Sequence, residues 1–261
     1  MGSDIVLAME SLGYSVGKRE LLRDIHMQIS NGECVAVVGP NGAGKSTLFR
    51  LLAGEWAPHR GQILFNGTPL PQWSLDQLAR VRSVMPQSSS LSFPFLVRDV
   101  IMMGRMPHDS GRAQDEAIVD EVMAVCDVQG LARRHYTDLS GGERQRVQLA
   151  RVLAQIWQPV DLGRRLLLLD EPTSALDLSH QLDLMQLVRD VCGKAVTVLV
   201  IVHDLNLAAR FADRVMMLHH GSAVALGTPQ EVMRPDLIEC VFNVKTQVIE
   251  HPLYGCPLVV S

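Results

Sequence analysis

"CVAVVGPNGAGKSTLFRLLAG", Cys34 to Gly54, decides the fold. A short apolar run leads into G-P-N-G-A-G-K-S, Gly39 to Ser46, which satisfies the phosphate-loop pattern G-x-x-x-x-G-K-[ST]. A helical stretch, Lys45 to Leu52, follows. A strand before and a helix after is the setting in which that pattern carries meaning. Gly39, Gly42 and Gly44 let backbone N–H groups curl around phosphate oxygens, with Pro40, Asn41 and Ala43 completing the loop. The positive end of the helix dipole falls at the same place. Lys45 can reach β- and γ-phosphates, the Ser46 hydroxyl can ligate Mg2+, and Thr47 can donate near the α-phosphate.

Three further apolar runs, Arg165 to Pro172, Ala195 to Asp204 and Arg214 to Gly221, read as strands buried on both faces. Helical stretches near 179–192 and 205–211 alternate with them. That alternation predicts an α/β fold, a P-loop core with a mostly parallel sheet. Asp170 ends the run "RLLLLD" and can hold Mg2+, directly or through water. Glu171 follows, facing the same cleft, where a carboxylate can orient an attacking water. Residues 4–67 read as an antiparallel edge sheet, with Asn-Gly turn signals at 31–32 and 66–67. Residues 88–157 read as an inserted helical subdomain, in which "AQDEAIVDEVMAVCDV" is expected to bury Ala117, Ile118, Val122 and Val125. The core is therefore expected to be discontinuous, 1–87 with 158–235, and the tail 236–261 to form a β-hairpin around "HPLYG".

Composition removes several classes. With a net charge of −4 and a pI near 6.1, no bulk attraction to nucleic acid is expected. The five cysteines are irregularly spaced, a reduced, cytosolic pattern rather than a disulfide framework. The start lacks the basic and apolar regions of a secretion signal, and the run Ala195 to Val202 is too short to span a bilayer. His219, His220 and His251 read as solvated loop residues rather than metal ligands.

A second glycine turn, "TDLSGGERQRVQLARVLA", Thr137 to Ala154, also opens a helix. Ser140 can cap it, and Glu143 completes a capping box. Gly141 and Gly142 cost the first turn roughly 1 kcal/mol each against alanine. They leave N–H groups open to an anion. This loop has no lysine and no acid partner, so it amounts to half a phosphate site.

At this point the chain resembles the ATP-binding-cassette (ABC) transporter ATPases, over about its first 235 residues. The resemblance implies that "LSGGE", Leu139 to Glu143, binds the γ-phosphate of ATP held by the Gly39–Thr47 loop of a second copy. Two ATP molecules would then lie between two chains of a homodimer. It also gives roles to residues whose types alone say little. Tyr14, by itself an ordinary surface or core tyrosine, matches the aromatic that stacks on adenine. Gln87 matches the glutamine that touches Mg2+ or the water. Ser174 to Asp177, "SALD", matches the loop that crosses the dimer, and His203 the histidine that senses the γ-phosphate. With Glu171 and His203 both present, an active ATPase is expected.

The chain has no membrane span of its own, so the resemblance implies a separate transmembrane permease, placing this subunit peripherally on the cytoplasmic face of the cell membrane. "GRMPH", Gly104 to His108, in the stretch expected to face that permease, resembles importers of iron siderophores, heme and cobalamin. "QLARVLAQIW", "SALDLSHQ", "HDLNLAARFAD" and the tail "IEHPLYGCPLVV" are most similar to the hemin-import ATPases, which implies an extracytoplasmic heme-binding protein as an indirect partner. The pair Cys256-Pro257 resembles a heme-sensing dipeptide, a likeness too short to carry weight. Rival classes are a soluble ABC ATPase acting on DNA ends or ribosomes, disfavoured by the short interval between Gln87 and Ser140, and a non-hydrolysing regulatory subunit, disfavoured by Glu171 and His203.

Overall fold

The structure is a computed structural model that describes residues 4–87, 91–174, 176–193 and 195–261. The expected subdomain boundary at 88 and Ala175 of the "SALD" loop lie outside the described residues. The chain begins with a long hairpin, β1 (Ile5–Val16) and β2 (Arg19–Ser30). It continues through β3 (Cys34–Val38), α1 (Lys45–Leu52), β4 (Arg60–Phe65) and β5 (Thr68–Pro69). Then come α2 (Leu75–Val81), β6 (Arg82–Met85), and the helices α3 (Val97–Met102), α4 (Arg112–Val125) and α5 (Gly141–Gln155). The second half alternates β7 (Arg165–Asp170), α6 (Leu178–Cys192), β8 (Val196–Ile201), α7 (Leu205–Phe211) and β9 (Arg214–His219). It closes with β10 (Ser222–Gly227), α8 (Pro229–Val232), α9 (Pro235–Phe242) and the hairpin β11 (Gln247–Glu250) and β12 (Pro257–Val260).

A six-stranded sheet, in the order β10-β9-β3-β8-β7-β6, forms the centre. Its strands from β9 to β6 run parallel, and β10 returns antiparallel beside β9. A four-stranded antiparallel sheet, β2-β1-β4-β5, lies beside it. Alternate side chains of the central strands serve different cores, which is why their sequences are apolar throughout. Val35 and Val37 of β3, Leu166 and Leu168 of β7, and Met216 and Leu218 of β9 join α1 and the antiparallel sheet in one apolar cluster. Ala36, Leu167, Leu169, Val198 and Met217 face the other cluster, continuous with α3, α4, α5, α6 and α7. Each such leucine is fully buried, so truncation to alanine costs about 2–5 kcal/mol.

The two Asn-Gly signals have different outcomes. Asn66 and Gly67 both adopt positive φ, 49° and 75°, and close the hairpin between β4 and β5. Asn31-Gly32 instead carries the chain out of the antiparallel sheet and into β3 of the central one. The face expected of α4 is half right. Ile118 and Val122 are buried, but their companions are Val119, Met123 and Cys126, while Ala117 and Val125 are exposed. The helix is rotated because the i, i+1, i+4, i+5 stripe packs on α5, leaving positions 117 and 125 outside it.

Candidate functional site

The loop after β3 is built by close backbone approach. At Gly39, φ is 154° and an added Cβ would lie 2.3 Å from the Leu218 carbonyl oxygen of β9. At Gly44, φ is 108° and a Cβ would meet Leu21 O and Leu22 Cδ2 at 2.9 Å each. The turn after β9 braces the loop from behind, where Gly221 N–H donates to Ala43 O at 3.0 Å. Helix α1 has no side-chain cap and no acid in its first turn, so its leading N–H groups remain open to an anion. The Lys45 ammonium is buried and folds back on the loop, donating to Gly39 O at 2.7 Å and Pro40 O at 3.1 Å. Burial lowers its pKa, opposed by the charges of Glu171 and Asp170. Ser46 and Asn41 are exposed at the mouth, and Thr47 is half-buried behind them.

Asp170 ends β7 and Glu171 turns away from it, with φ at 50° and its N–H bonded to Ile201 O at 3.1 Å. Burial, and then the Glu171 charge beside it, push the Asp170 carboxyl up to about 6, against the pull of Lys45. Both oxygens of Glu171 are held. Gln87, just after β6, donates through Nε2 to Oε2 at 2.5 Å. His203, just after β8, pairs through Nε2 with Oε1 at 2.5 Å. The C-terminal ends of three neighbouring strands therefore converge on one carboxylate, 8 % exposed, beside the phosphate loop. In this arrangement Gln87 and His203 grip Glu171.

Tyr14 is half-buried at the end of β1, opposite Leu22, whose side chain abuts Gly44. Its ring stacks on His59 at 4.6 Å and on Trp56 at 5.1 Å. The sequence offered no sign of those two companions, because they arrive from the loop between α1 and β4.

The second glycine turn builds the capping box that its spacing predicts. Ser140 Oγ accepts from Glu143 N–H at 3.2 Å, and Ser140 N–H donates to Glu143 Oε2 at 2.7 Å. Leu139 is buried beneath it, and Gly141 is exposed. The Ser140 N–H first and the Arg134 guanidinium at 2.9 Å also hold the Glu143 carboxyl below its usual range. The turn opens on a cavity of about 600 Å³, lined also by Gly142, Arg146, Leu176, Asp177 and His180. Asp177 caps α6, accepting from His180 N–H at 3.0 Å and pairing with its Nδ1 at 2.6 Å. None of the residues lining this cavity comes from the 39–47 loop. The two glycine turns of a single chain thus lie apart, and Asp138 also lines the cavity at the second.

"GRMPH" has an internal job. Arg105 is 3 % exposed and binds Asp115 at 2.8 Å and Ala154 O at 2.7 Å. His108 Nε2 meets Gln155 O at 2.6 Å, and Arg80 donates to Pro107 O at 2.9 Å. A Cβ on Gly104 would sit 2.2 Å from Arg151 O. The motif therefore straps α2, α4 and the end of α5 together, and within it Met106, 81 % exposed, is the side chain that faces outward. Gln155 adds to the strap through Ser83 Oγ, Ala79 O and Arg82 O. Gln145 ties α5 to Pro172 O, next to Glu171. These glutamines carry no signal in sequence, since only the packing gives them partners.

Comparison with known proteins agrees with the geometry. Residues 22–174 match the ABC transporter family. The hemin import ATP-binding protein HmuV of Pseudomonas entomophila is 48% identical over 256 residues, covering 98% of this chain and all of that one. Its namesake from Gloeobacter violaceus is 46% identical over 257 residues, 98% of this chain and 94% of the other. Among solved structures, an inward-facing metal-chelate type ABC transporter superposes with a TM-score of 0.82 at 26% identity, over 98% of this chain and 97% of the other. A glycine loop between a parallel strand and a helix, a family match over residues 22–174 and near full-length likeness to these relatives place the protein: it belongs to the ABC transporter family.

Proposed function

We propose that the protein is the ATP-hydrolysing subunit of an importer that drives heme (hemin) across the cytoplasmic membrane through a separate permease. The observation that carries the enzymatic part is the division of the site. Lys45, Asp170, Glu171, Gln87 and His203 converge in one place, and the Ser140–Glu143 turn opens elsewhere. Two copies facing each other would bring each turn to the other's phosphate loop, with Asp177 beside it. Tyr14 would stack on the adenine, and Gly39 to Thr47 would hold the phosphates.

The residues at the cleft fit Mg2+. Ser46, Gln87 and Asp170 offer hard oxygen donors, and Asp170 carries a raised pKa beside Glu171, a crowding of negative charge that a cation relieves. Among the described residues no trio of His, Cys, Asp and Glu could hold a metal by itself, so the nucleotide's own phosphates would complete the set. Bound there, the ion would supply charge neutralisation at the phosphates. Lys45 would turn from Gly39 O and Pro40 O to the β- and γ-phosphates. Glu171 would orient water in line with the γ-phosphate, and His203 would exchange its carboxylate partner for a phosphate oxygen. The N–H groups of Gly141 and Gly142 in the other copy would stabilise the charge that develops. Loss of the γ-phosphate would release the two copies. The 88–157 helices would carry that motion to the permease, because ATP biases the permease only through different affinity for closed and open pairs.

The cargo rests on the near full-length likeness to proteins named for hemin import. No described helix is long and apolar enough to cross a membrane. The subunit would work peripherally against a membrane partner, with a heme-binding protein outside. The metal-chelate transporter among the structural neighbours favours a second reading of the same machine, with ferric siderophore or cobalamin as cargo. Vesicles holding this chain and its permease, supplied with ATP and offered heme, a ferric siderophore or cobalamin, decide it. ATP-dependent uptake of heme above the other two is expected. Equal or greater uptake of either rival overturns the cargo, and absence of ATP hydrolysis overturns the enzyme.

A further inference from the structure

We propose that the C-terminal hairpin is a positioning device for His203, acting through α7, with Tyr254 and Asn206 as its working contacts. The inference rests on the reading above, in which His203 and Glu171 belong to an ATP-hydrolysing centre.

The His203 side chain is 48% exposed and pairs with Glu171. Burial does not lock such a ring, so the backbone on either side must place it. On the upstream side the sheet does this, since Val202 N–H donates to Val37 O at 3.2 Å. Downstream, Asp204 caps α7, accepting from Asn206 N–H at 2.7 Å and Leu207 N–H at 3.2 Å. Helix α7 has only 7 residues, too few to be stable without packing. Leu207, Ala208, Ala209 and Phe211 anchor its inner face.

Its outer face is held by the tail. Asn206, two residues after the cap, pairs its amide with the backbone of Val259: Nδ2 donates to Val259 O at 3.1 Å, and Val259 N–H donates to Oδ1 at 2.7 Å. One turn on, the Arg210 guanidinium lies 3.6 Å from the centre of the Tyr254 ring. That ring is itself backed by His251 at 4.6 Å. The turn that presents it is firmly built, with His251 N–H on Cys256 O at 2.8 Å and Gly255 N–H on His251 O at 3.0 Å. The stretch "HPLYGCP" is thus a clamp across a short helix whose first residues follow His203. Cation–π contacts of this kind and a paired amide are enough to bias the orientation of so short an element.

The test uses the full chain. Tyr254 is half exposed, so Tyr254→Ala is expected to fold normally, with an unchanged thermal transition. It should lower the kcat for ATP about tenfold, the scale of a small misplacement near a reacting group, and leave KM for ATP unchanged because the Gly39–Thr47 loop is untouched. Asn206→Ala should act in the same way. Tyr254→Phe, which returns the ring beneath Arg210, should restore the rate. Unchanged kcat in both alanine variants, a rise in KM without a fall in kcat, or failure of phenylalanine to rescue overturns the proposal. His203→Ala separates the two ideas. If it hydrolyses ATP at the wild-type rate, the reading of the site falls and this inference with it. If it is slow while the hairpin variants are normal, only the clamp falls.

Discussion

Replacing Asp170 by asparagine should make the nucleotide-free protein more stable while weakening its grip on Mg2+-ATP. The Asp170 carboxyl is raised from 3.8 to about 6, by burial first and by Glu171 second. An acid with a higher pKa folded than unfolded binds more protons in the folded state. Its contribution is neutral below about pH 4 and becomes a growing destabilisation as pH rises through 6. Two pKa units correspond to about 3 kcal/mol. Partial solvent screening at this half-buried position reduces that to about 1–2 kcal/mol. Asparagine has no charge to hold in that setting, so Asp170→Asn should gain roughly that amount at pH 8. For a chain of this size the gain is roughly 2–6 °C in the thermal midpoint, and it should vanish near pH 4. The assay is thermal unfolding at pH 4.5, 6 and 8 without nucleotide, with ATP binding measured in parallel with and without Mg2+. In the wild-type protein, Mg2+-dependent binding should weaken as pH falls through about 6, where protons begin to occupy Asp170. An asparagine variant that is less stable at pH 8, or equally shifted at every pH, would refute the electrostatic account.

Glu171→Gln preserves the shape but not the charge proposed to orient water; ATP binding should persist while hydrolysis falls about 10²- to 10⁴-fold, and near-normal turnover would remove Glu171 from the chemistry. Ser140→Ala should cost about 1 kcal/mol of capping and abolish hydrolysis without touching ATP binding to the isolated chain. Mixing it with Lys45→Ala chains should recover activity, because a mixed pair assembles one complete site; two inactive variants that stay inactive together would count against the divided site. Arg105→Met strips the buried partner from Asp115 and Ala154 O and should cost about 3–5 kcal/mol in urea unfolding, whereas a loss under about 1 kcal/mol would mean that "GRMPH" is no strap.

The central strands were legible because their two faces meet two cores, so β3, β7, β8 and β9 read as unbroken apolar runs. The two glycine turns were legible because each combines a rare pattern with a helix start. Strand β6 was not, since Arg82-Ser83-Val84-Met85 is neither alternating nor apolar; Arg82 is there to donate to Leu52 O and Ser83 to reach Gln155. Helix α9 was not legible either, since it opens on Pro235 with no side-chain cap and runs for only 8 residues. The hairpin that ends the chain was expected, but its attachment to α7 depends on Asn206 and Arg210, separated from it by roughly half a hundred residues of intervening chain. The convergence of Gln87 and His203 on Glu171 likewise belongs to strand order, which neighbouring residues do not encode.

The left-handed backbone at Glu171 narrows what mutation can leave in its place. Glycine, asparagine and aspartate enter that conformation readily and branched side chains do so poorly, yet all three are too short to meet Gln87 and His203 together. The substitutes that the main chain welcomes are those that the proposed chemistry would reject. Random change at this position should therefore produce folded, silent subunits far more often than slow ones, so a surviving lineage either retains the glutamate or abandons hydrolysis altogether.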